Sequence, residues 1–377
     1  MTDTTALLRD LVAINSINPD LVPDGAGEGE IARFVAGWLG RAGLDVTLDE
    51  PVAGRPSVIA VARGTGGGRS LMLNAHMDTV GVAGMDRPFA PSVEDGRLYG
   101  RGAYDMKGSL AAIMAVGAAA VGRRLRGDVI ITAVADEEYA SFGTAGVVKR
   151  VTADAAIVTE PTALDVCVAH KGFIWAEIET AGVASHGSRP DLGVDAIAKM
   201  GRILVGIEEL GRCLLAAPSH PLLRSGSLHA SLIGGGQELS SYPERCVLAV
   251  ERRTIPGETP ALVEAQLRAV LEAARAADPD LRAELRLGLV RDPFEVAPDA
   301  PIVAALRRHA AAALGREPAI RGETPWMDSA ILAAAGIPTV VFGPGGAGAH
   351  AAVEWVDLAQ VAQCRDILLA TAEEFCG

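Results

Sequence analysis

The sequence is poor in the residues that nucleic-acid-binding and membrane-surface proteins need. Its only aromatic residues are seven phenylalanines, four tryptophans and four tyrosines, too few to suggest a platform on which bases stack. Acidic residues outnumber basic ones, 47 against 34, which gives a formal net charge of −13. Such a chain lacks the cationic face that meets phosphate groups. We therefore expect neither a nucleic-acid partner nor a membrane partner.

Cysteine is scarce and irregularly spaced. The five cysteines, odd in number and never in a C-x-x-C pair, are Cys167, Cys213, Cys246, Cys364 and Cys376. This pattern disfavours a disulfide framework or a structural zinc knuckle and fits a reducing cytoplasm. The longest nearly unbroken apolar stretch, residues 110–122, is too short to cross a bilayer. The first residues do not resemble a signal peptide, so we expect a cytoplasmic protein.

Both ends of the chain alternate short β-rich runs with helical patterns. The predicted strands cover residues 70–75, 129–134, 155–159 and 338–342. The predicted helices cover residues 5–14, 31–42, 109–121, 302–314 and 358–375. Apolar strands alternating with helices predict an α/β fold, a doubly wound and mostly parallel sheet covered on both faces.

The middle of the chain has a different order of elements. Strands are predicted over residues 173–180, 227–233, 246–255 and 281–290, and helices over 191–210 and 260–277. The order βαββαβ predicts a small ferredoxin-like domain. Because strand–helix alternation resumes at residue 301, we expect this domain, 172–291, to be inserted into a larger one, 1–171 and 292–377. Such an insertion creates a cleft, a common place for a ligand site.

Ionisable side chains follow the predicted strands of the larger domain. They are His76, Glu137, Glu138, Glu160 and His350, and Asp105 precedes an alanine-rich helix. In open α/β sheets, ligands bind beyond the carboxyl ends of the strands. Two histidines with several carboxylates suit zinc, with manganese or cobalt as alternatives. The set is too large for one tetrahedral ion and suits two ions that share a bridging carboxylate and a water, an arrangement used for hydrolysis.

Each of these signals also has a simpler interpretation. A histidine at a strand end can be a hydrogen-bonded structural residue, and paired acids can cap a helix. Residues 343–348 fit G-x-G-x-x-G, which would suggest an NAD-dependent oxidoreductase, but no βαβ unit follows them. The glycine-rich residues 64–70 predict a hairpin turn. The coincidence of several candidate ligands at one sheet edge favours the metal site.

Five segments, taken in order, resemble the M20 family of metallo-amidohydrolases. They are HMDTV at 76–80, GRGAYDMKG at 100–108, DEE at 136–138, TEP at 159–161, and GPG with AH at 343–350. The family includes acetylornithine deacetylases, succinyl-diaminopimelate desuccinylases, aminoacylases and glutamate carboxypeptidases, and the resemblance covers nearly the whole chain. It implies a hydrolase of N-acylated amino acids, closest to the acetylornithine-deacetylase-like branch. Carboxypeptidase, dipeptidase and desuccinylase activities stay open, as does a non-catalytic binding protein.

The resemblance also implies a role for each candidate residue of the larger domain. His76 and Glu160 would hold one ion, Glu138 and His350 the other, and Asp105 would bridge them. Glu137 would be the general base that takes a proton from the metal-activated water. Asp78 would hydrogen-bond His76 and fix its tautomer.

Two further roles fall in the inserted domain. By resemblance, His186 would reach across a homodimer interface to stabilise the oxyanion, and Arg253 would hold the substrate carboxylate. A turn histidine and a strand ion pair are the structural alternatives. The chain departs from the family at Ser240, where many relatives have asparagine, at Glu251, where they have aspartate, and at Trp326, near the usual Gly-Thr-Asp segment. These departures leave the acyl and side-chain pockets undefined.

Overall fold

A computed structural model describes residues 3–82 and 84–377. The α-helices are α1 (Thr4–Ala13), α2 (Gly29–Arg41), α3 (Gly108–Val121), α4 (Phe142–Val147), α5 (Ala196–Ala216), α6 (Pro260–Ala277), α7 (Pro301–Leu314), α8 (Ser329–Ala334) and α9 (Leu358–Cys376). The strands are β1 (Asp45–Asp49), β2 (Ser57–Ala62), β3 (Leu71–His76), β4 (Ser92–Glu94), β5 (Arg97–Tyr99), β6 (Val129–Val134), β7 (Ala155–Val158), β8 (Val166–His170), β9 (Gly172–Ala181), β10 (Ser227–Gly235), β11 (Arg245–Thr254), β12 (Arg282–Arg291), β13 (Phe294–Glu295), β14 (Ile320–Glu323), β15 (Thr339–Val341), β16 (Gly346–Ala347) and β17 (Trp355–Asp357).

The chain divides into two compact units. The main unit consists of Met1–Val168, Val296–Arg321 and Met327–Gly377. The inserted unit consists of Ala169–Glu295 together with Gly322–Trp326. Within the part of the chain that the structure describes, no helix is both long enough and apolar enough to cross a membrane.

The main unit is built on a mixed sheet in the order β1-β2-β6-β3-β7-β15-β8. Its centre is parallel, because β6 with β3, β3 with β7, and β7 with β15 all pair in parallel. The flanking pairs, β1 with β2, β2 with β6, and β15 with β8, are antiparallel. The predicted α/β class with a mainly parallel central sheet is therefore confirmed, and its parallel centre consists of β6, β3, β7 and β15.

The predicted hairpin turn at residues 64–70 is wrong. These residues connect β2 to β3, but β6 lies between those two strands and pairs with both. The glycines of this segment allow it to pack closely against the backbone of residues 126 and 127. A Cβ on Gly64 would lie 2.5 Å from the Arg126 carbonyl oxygen, and one on Gly68 would lie 2.4 Å from the Gly127 nitrogen. Glycine thus lets the segment pass against the backbone that leads into β6.

Helix α3 lies at the centre of the main unit. It contacts α1 and α9 as well as strands β2, β3 and β6. Every residue of those three strands is buried, and most of the helix is buried with them. A helix that is apolar on all sides is stable only when it is covered in this way.

The inserted unit is a four-stranded antiparallel sheet in the order β10-β11-β9-β12. Helices α5 and α6 pack on one face, where Ile178 and Leu248 meet Met200 and Leu267 in a common core. The element order is βαββαβ, as the sequence predicts. Helix α5 begins at Ala196, after the predicted start, because the Asp195 side chain caps it by accepting from the Ala198 N–H at 2.9 Å.

We expect Ile113→Ala in α3 to lower the free energy of unfolding by about 2–5 kcal/mol, because the side chain is fully buried and its loss leaves a cavity. Val121→Ala, near the end of the same helix, removes a side chain that is 39% exposed and should change that free energy by about 0.5 kcal/mol or less. Urea unfolding of both variants measures the difference. Equal losses would contradict the central position of α3.

Candidate metal centre

The parallel strands of the main unit bring the candidate ligands to one edge of the sheet. His76 is the last residue of β3, Glu137 and Glu138 follow β6, and Glu160 follows β7. Because β6, β3 and β7 are parallel neighbours, their carboxyl ends meet at this edge. The side chains of His76 and Glu160 are almost completely buried.

Asp105 lies between the two histidines. Its Oδ1 is 3.1 Å from His76 Nε2, and its Oδ2 is 3.5 Å from His350 Nε2. His76 Nε2 is also 3.7 Å from Glu160 Oε1, and His350 Nε2 is 3.1 Å from Glu138 Oε2. The structure thus brings together all five residues predicted as metal ligands, with one oxygen of Asp105 facing each histidine.

Glu137 lies on the His76 side of this cluster. Ligand-type atoms of His76, Glu137 and Glu160 all lie within 4.8 Å of one another. The same holds for His76, Asp105 and Glu138. The neighbouring glutamates of the DEE segment therefore belong to two different groups of ligand-type atoms, which have His76 in common.

Burial and hydrogen bonding shift the pKa values of the residues in the cluster. Burial is the main cause that raises the pKa values of Glu137 and Glu160 well above the ordinary value, and nearby carboxylates raise them further. Burial opposes the shift at Asp105, but hydrogen bonds from His350 and His76 lower its pKa. Hydrogen bonds to Asp105 and Glu138 raise the pKa of His350 to about 10. Crowded, buried carboxylates of this kind call for additional positive charge.

The donor set fits divalent metal ions of the zinc type. Two imidazole nitrogens and several carboxylate oxygens converge, and these are the ligand types that zinc, cobalt and manganese accept. Asp105 presents its two oxygens to two different histidines, which suits a carboxylate that bridges two ions. Bound cations would also balance the buried negative charge.

Asp78 contributes differently from the prediction. His76 Nδ1 is 2.9 Å from the Asp78 backbone oxygen but 3.6 Å from the carboxylate oxygen Oδ1. The carboxylate instead accepts from the Glu137 and Glu138 N–H groups, at 3.1 Å on Oδ1 and 3.2 Å on Oδ2. The backbone carbonyl is closer to the ring and orients it, while the side chain fixes the segment that carries the two glutamates.

A buried polar network that the sequence analysis did not predict lies behind Asp78. Asn18 Nδ2 donates to Asp78 Oδ2 at 2.8 Å and to Asp136 Oδ1 at 3.0 Å. Arg55 donates to Asp136 Oδ1 at 3.1 Å and to both carboxylate oxygens of Glu28. These contacts tie the turn after β6 to the N-terminal part of the chain.

Glu354 holds the loop that carries Asp105. Its Oε1 accepts from the N–H groups of Tyr104 and Asp105, at 2.9 and 3.1 Å. Its Oε2 accepts from the Gly102 N–H at 3.0 Å and from Arg101 Nη1 at 2.7 Å. Both Glu354 and Arg101 are buried. The peptide bond between Asp105 and Met106 is cis.

Asp328 is a further buried carboxyl group of the main unit. It is 1% exposed, and the Thr144 hydroxyl donates to its Oδ2 at 2.6 Å. Burial raises its pKa to about 6. Its charge acts on Glu137 and Glu160 and raises their pKa values, so it belongs to the electrostatic surroundings of the cluster.

The other two predicted residues lie in the inserted unit. His186 is exposed in the segment between β9 and α5, where its Nδ1 is 2.8 Å from Ser188 Oγ. It forms an isolated β-bridge with Ser241. Arg253 lies on β11, and its Nε donates to Glu251 Oε1 at 2.7 Å.

Comparison with known proteins gives consistent results. The family model described as "Peptidase family M20/M25/M40" matches residues 72–374. An acetylornithine deacetylase from Myxococcus xanthus is 32% identical over 340 residues, which is 88% of this chain and 87% of the relative. The crystal structure of aminopeptidase PepT from Bacillus cereus superposes with a TM-score of 0.82 at 19% identity, covering 99% of this chain and 98% of the other. The YXEP protein of Bacillus subtilis, described as a dinuclear metal-binding peptidase from the M20 family, gives 0.76 at 20% identity, covering 99% and 97%.

We expect Glu354→Gln to lower the free energy of unfolding by about 3 kcal/mol, because it leaves the buried Arg101 without its carboxylate partner. Glu94→Gln, at an exposed position on β4, is the matched control and should have little effect. Urea unfolding measures both variants. A Glu354→Gln protein as stable as the control would remove the structural role assigned to this contact.

Proposed function

The chain belongs to peptidase family M20/M25/M40 and is a metal-dependent amide hydrolase, and we propose that it removes the acyl group from an N-acylated amino acid. The observation that carries the proposal is the position of Asp105, with one oxygen facing His76 and the other facing His350. Such a carboxylate suits a two-metal hydrolytic centre. The similarity to an acetylornithine deacetylase supports the substrate class.

The residues on each side of Asp105 define two candidate ion sites. His76 and Glu160 would hold one ion, and Glu138 and His350 the other. Zinc is the expected metal, with cobalt and manganese as alternatives. When bound, two such ions activate a water molecule and polarise the amide carbonyl group.

Glu137 is the proposed general base. Asp78 fixes the backbone N–H groups of Glu137 and Glu138 with its two carboxylate oxygens, and Glu138 is committed to His350. The Glu137 carboxylate is not one of the proposed ligands, so it would accept a proton from the attacking water and pass it to the leaving amine.

The inserted unit supplies the remaining proposed contacts. Arg253 would bind the substrate carboxylate through its guanidinium fork, and His186 would stabilise the oxyanion from the partner subunit of a homodimer. The exposure of His186 leaves its ring accessible to such a contact. We further propose a cytoplasmic location, which the scattered, unpaired cysteines support. Desuccinylase and carboxypeptidase or dipeptidase activities on the same centre are the alternatives.

The proposed function is tested by the release of free amine from a panel of N-acetyl, N-succinyl and N-peptidyl amino acids, with added zinc or cobalt. We expect release that depends on the metal and is fastest with N-acetyl substrates. Faster release from N-succinyl or peptide substrates would instead assign the desuccinylase or peptidase alternative. A protein that holds two ions but releases no amine would contradict the proposal.

The division of roles between Glu137 and Glu138 predicts a contrast between two adjacent variants. Glu137→Ala should retain both ions and lose turnover by about a hundredfold or more, because the proton acceptor is lost. Glu138→Ala should lose metal, because it removes a proposed ligand. Metal content per chain and kcat are measured for both. Equal loss of metal in the two variants would refute this division.

His186→Ala should lower kcat by about a hundredfold while the metal content stays unchanged, because an oxyanion contact acts on the transition state. The matched control is His309→Ala, since His309 lies on α7 and contacts Glu374 at the surface. An unchanged kcat in His186→Ala would assign this histidine to the turn alone.

A further inference from the structure

One face of the inserted sheet is not covered by the helices of its own unit. Side chains alternate along a strand, and the core residues Ile174, Ile178 and Leu248 point towards α5 and α6. Phe173, on the opposite face of β9, pairs with Arg253 of β11. Trp175 and Glu251, also opposite each other, share this second face.

Three aromatic side chains lie in contact on this second face. The Phe173 and Trp175 rings are 5.3 Å apart between centroids, and the Trp326 ring meets Phe173 edge-on at 6.2 Å. Trp326 Nε1 donates to the Asp292 carbonyl oxygen at 3.1 Å, which fixes the orientation of the indole. Trp175 is 39% exposed. We call Phe173, Trp175 and Trp326 the aromatic shelf.

Arg253 is held beside this shelf. Its Cζ is 5.2 Å from the Phe173 ring centroid. Glu251 orients it, because Oε1 accepts from Arg253 Nε at 2.7 Å while Oε2 accepts from Trp175 Nε1 at 3.0 Å. Among the described residues, the two terminal nitrogens of Arg253 make no hydrogen bond, and the side chain is 32% exposed. The fork is therefore available to a carboxylate.

Cationic side chains other than Arg253 also lie near the shelf. Arg291 lies 5.6 Å from the Trp326 ring centroid. The charges of Arg253 and Arg252 act on Lys171 and lower its pKa, although burial is the larger cause. A second ammonium group placed here would be repelled, whereas an uncharged ring would gain contact area and edge-to-face packing.

We propose that the aromatic shelf binds the side chain of the substrate whose carboxylate Arg253 holds, so that this enzyme prefers N-acyl amino acids with aromatic or large apolar side chains over cationic ones such as N-acetylornithine. The proposal rests on the proposed function and names the substrate class within it. Trp326 decides this preference. Its indole ring packs edge-on against Phe173 and completes the shelf.

The test compares N-acetyl-L-phenylalanine, N-acetyl-L-ornithine, N-acetyl-L-glutamate and N-acetyl-L-alanine on the zinc-loaded protein. We expect kcat/KM for the phenylalanine substrate to exceed that for the ornithine and glutamate substrates by about tenfold or more. Trp326→Ala should raise KM for the phenylalanine substrate about tenfold, with little change in kcat and little effect on the alanine substrate. Trp326→Phe should restore most of the difference.

Two further measurements separate this proposal from a structural effect of the mutation. Trp38→Ala in α2 removes a tryptophan from the main unit and should leave the substrate preference unchanged. Trp175→Ala should weaken the same preference as Trp326→Ala. Equal losses for all four substrates in Trp326→Ala would show a structural role and overturn the proposal, as would a preference for the ornithine or glutamate substrate in the unaltered protein.

Binding measured without turnover distinguishes a failure of the aromatic shelf from a failure of the proposed function. Calorimetry on zinc-loaded Glu137→Ala should show N-acetyl-L-phenylalanine binding about tenfold more tightly than in the Glu137→Ala, Trp326→Ala double variant. If binding depends on Trp326 in this way but the unaltered protein hydrolyses no N-acetyl amino acid, the result would support the aromatic shelf as a binding site and contradict the proposed function. Hydrolysis of N-acetyl amino acids with no dependence of binding on Trp326 would support the function and overturn the shelf.

Discussion

The crowding of carboxylates at the carboxyl-end edge of the parallel strands is the constraint on which the site depends. Asp78, Asp105, Glu137, Glu138 and Glu160 are brought together there. Negative charges on neighbouring buried carboxylates repel one another unless hydrogen-bond donors or cations compensate them. The two histidines and the N–H groups around Asp78 compensate part of this negative charge. The ligand types at the site fit divalent ions, which would compensate the rest.

The surrounding fold keeps this arrangement in place from two sides. On one side, Asn18, which lies between α1 and α2, and Arg55, which precedes β2, both donate to the Asp136 carboxylate in the turn after β6. On the other side, the Glu354 carboxylate accepts from the N–H groups of Gly102, Tyr104 and Asp105 and from the buried side chain of Arg101. Both supports are charged or polar and buried, so removing one partner of either would leave an unpaired group in the interior.

The sequence predicted the site more completely than its supports. His76, Glu138 and Glu160 follow apolar strand runs, a local pattern, and parallel pairing then brings them together. Glu354 and Asn18 follow no such pattern, because their partners lie far away in the chain: Glu354 is 249 residues from Asp105. The hairpin at residues 64–70 was wrong for the same reason, since the strand that separates β2 from β3 comes later in the sequence. Asp78 was predicted to contact His76 through its carboxylate, but which of its oxygens faces the ring depends on backbone geometry that no pattern encodes.

The central claim is that the carboxylates and histidines around Asp105 hold two ions. Its most direct test is a titration of chelator-treated protein with zinc, monitored by calorimetry. We expect two equivalents of zinc to bind per chain, and both to be lost in Asp105→Ala, which removes the shared ligand. Saturation at one equivalent, or two equivalents retained by Asp105→Ala, would contradict the central claim.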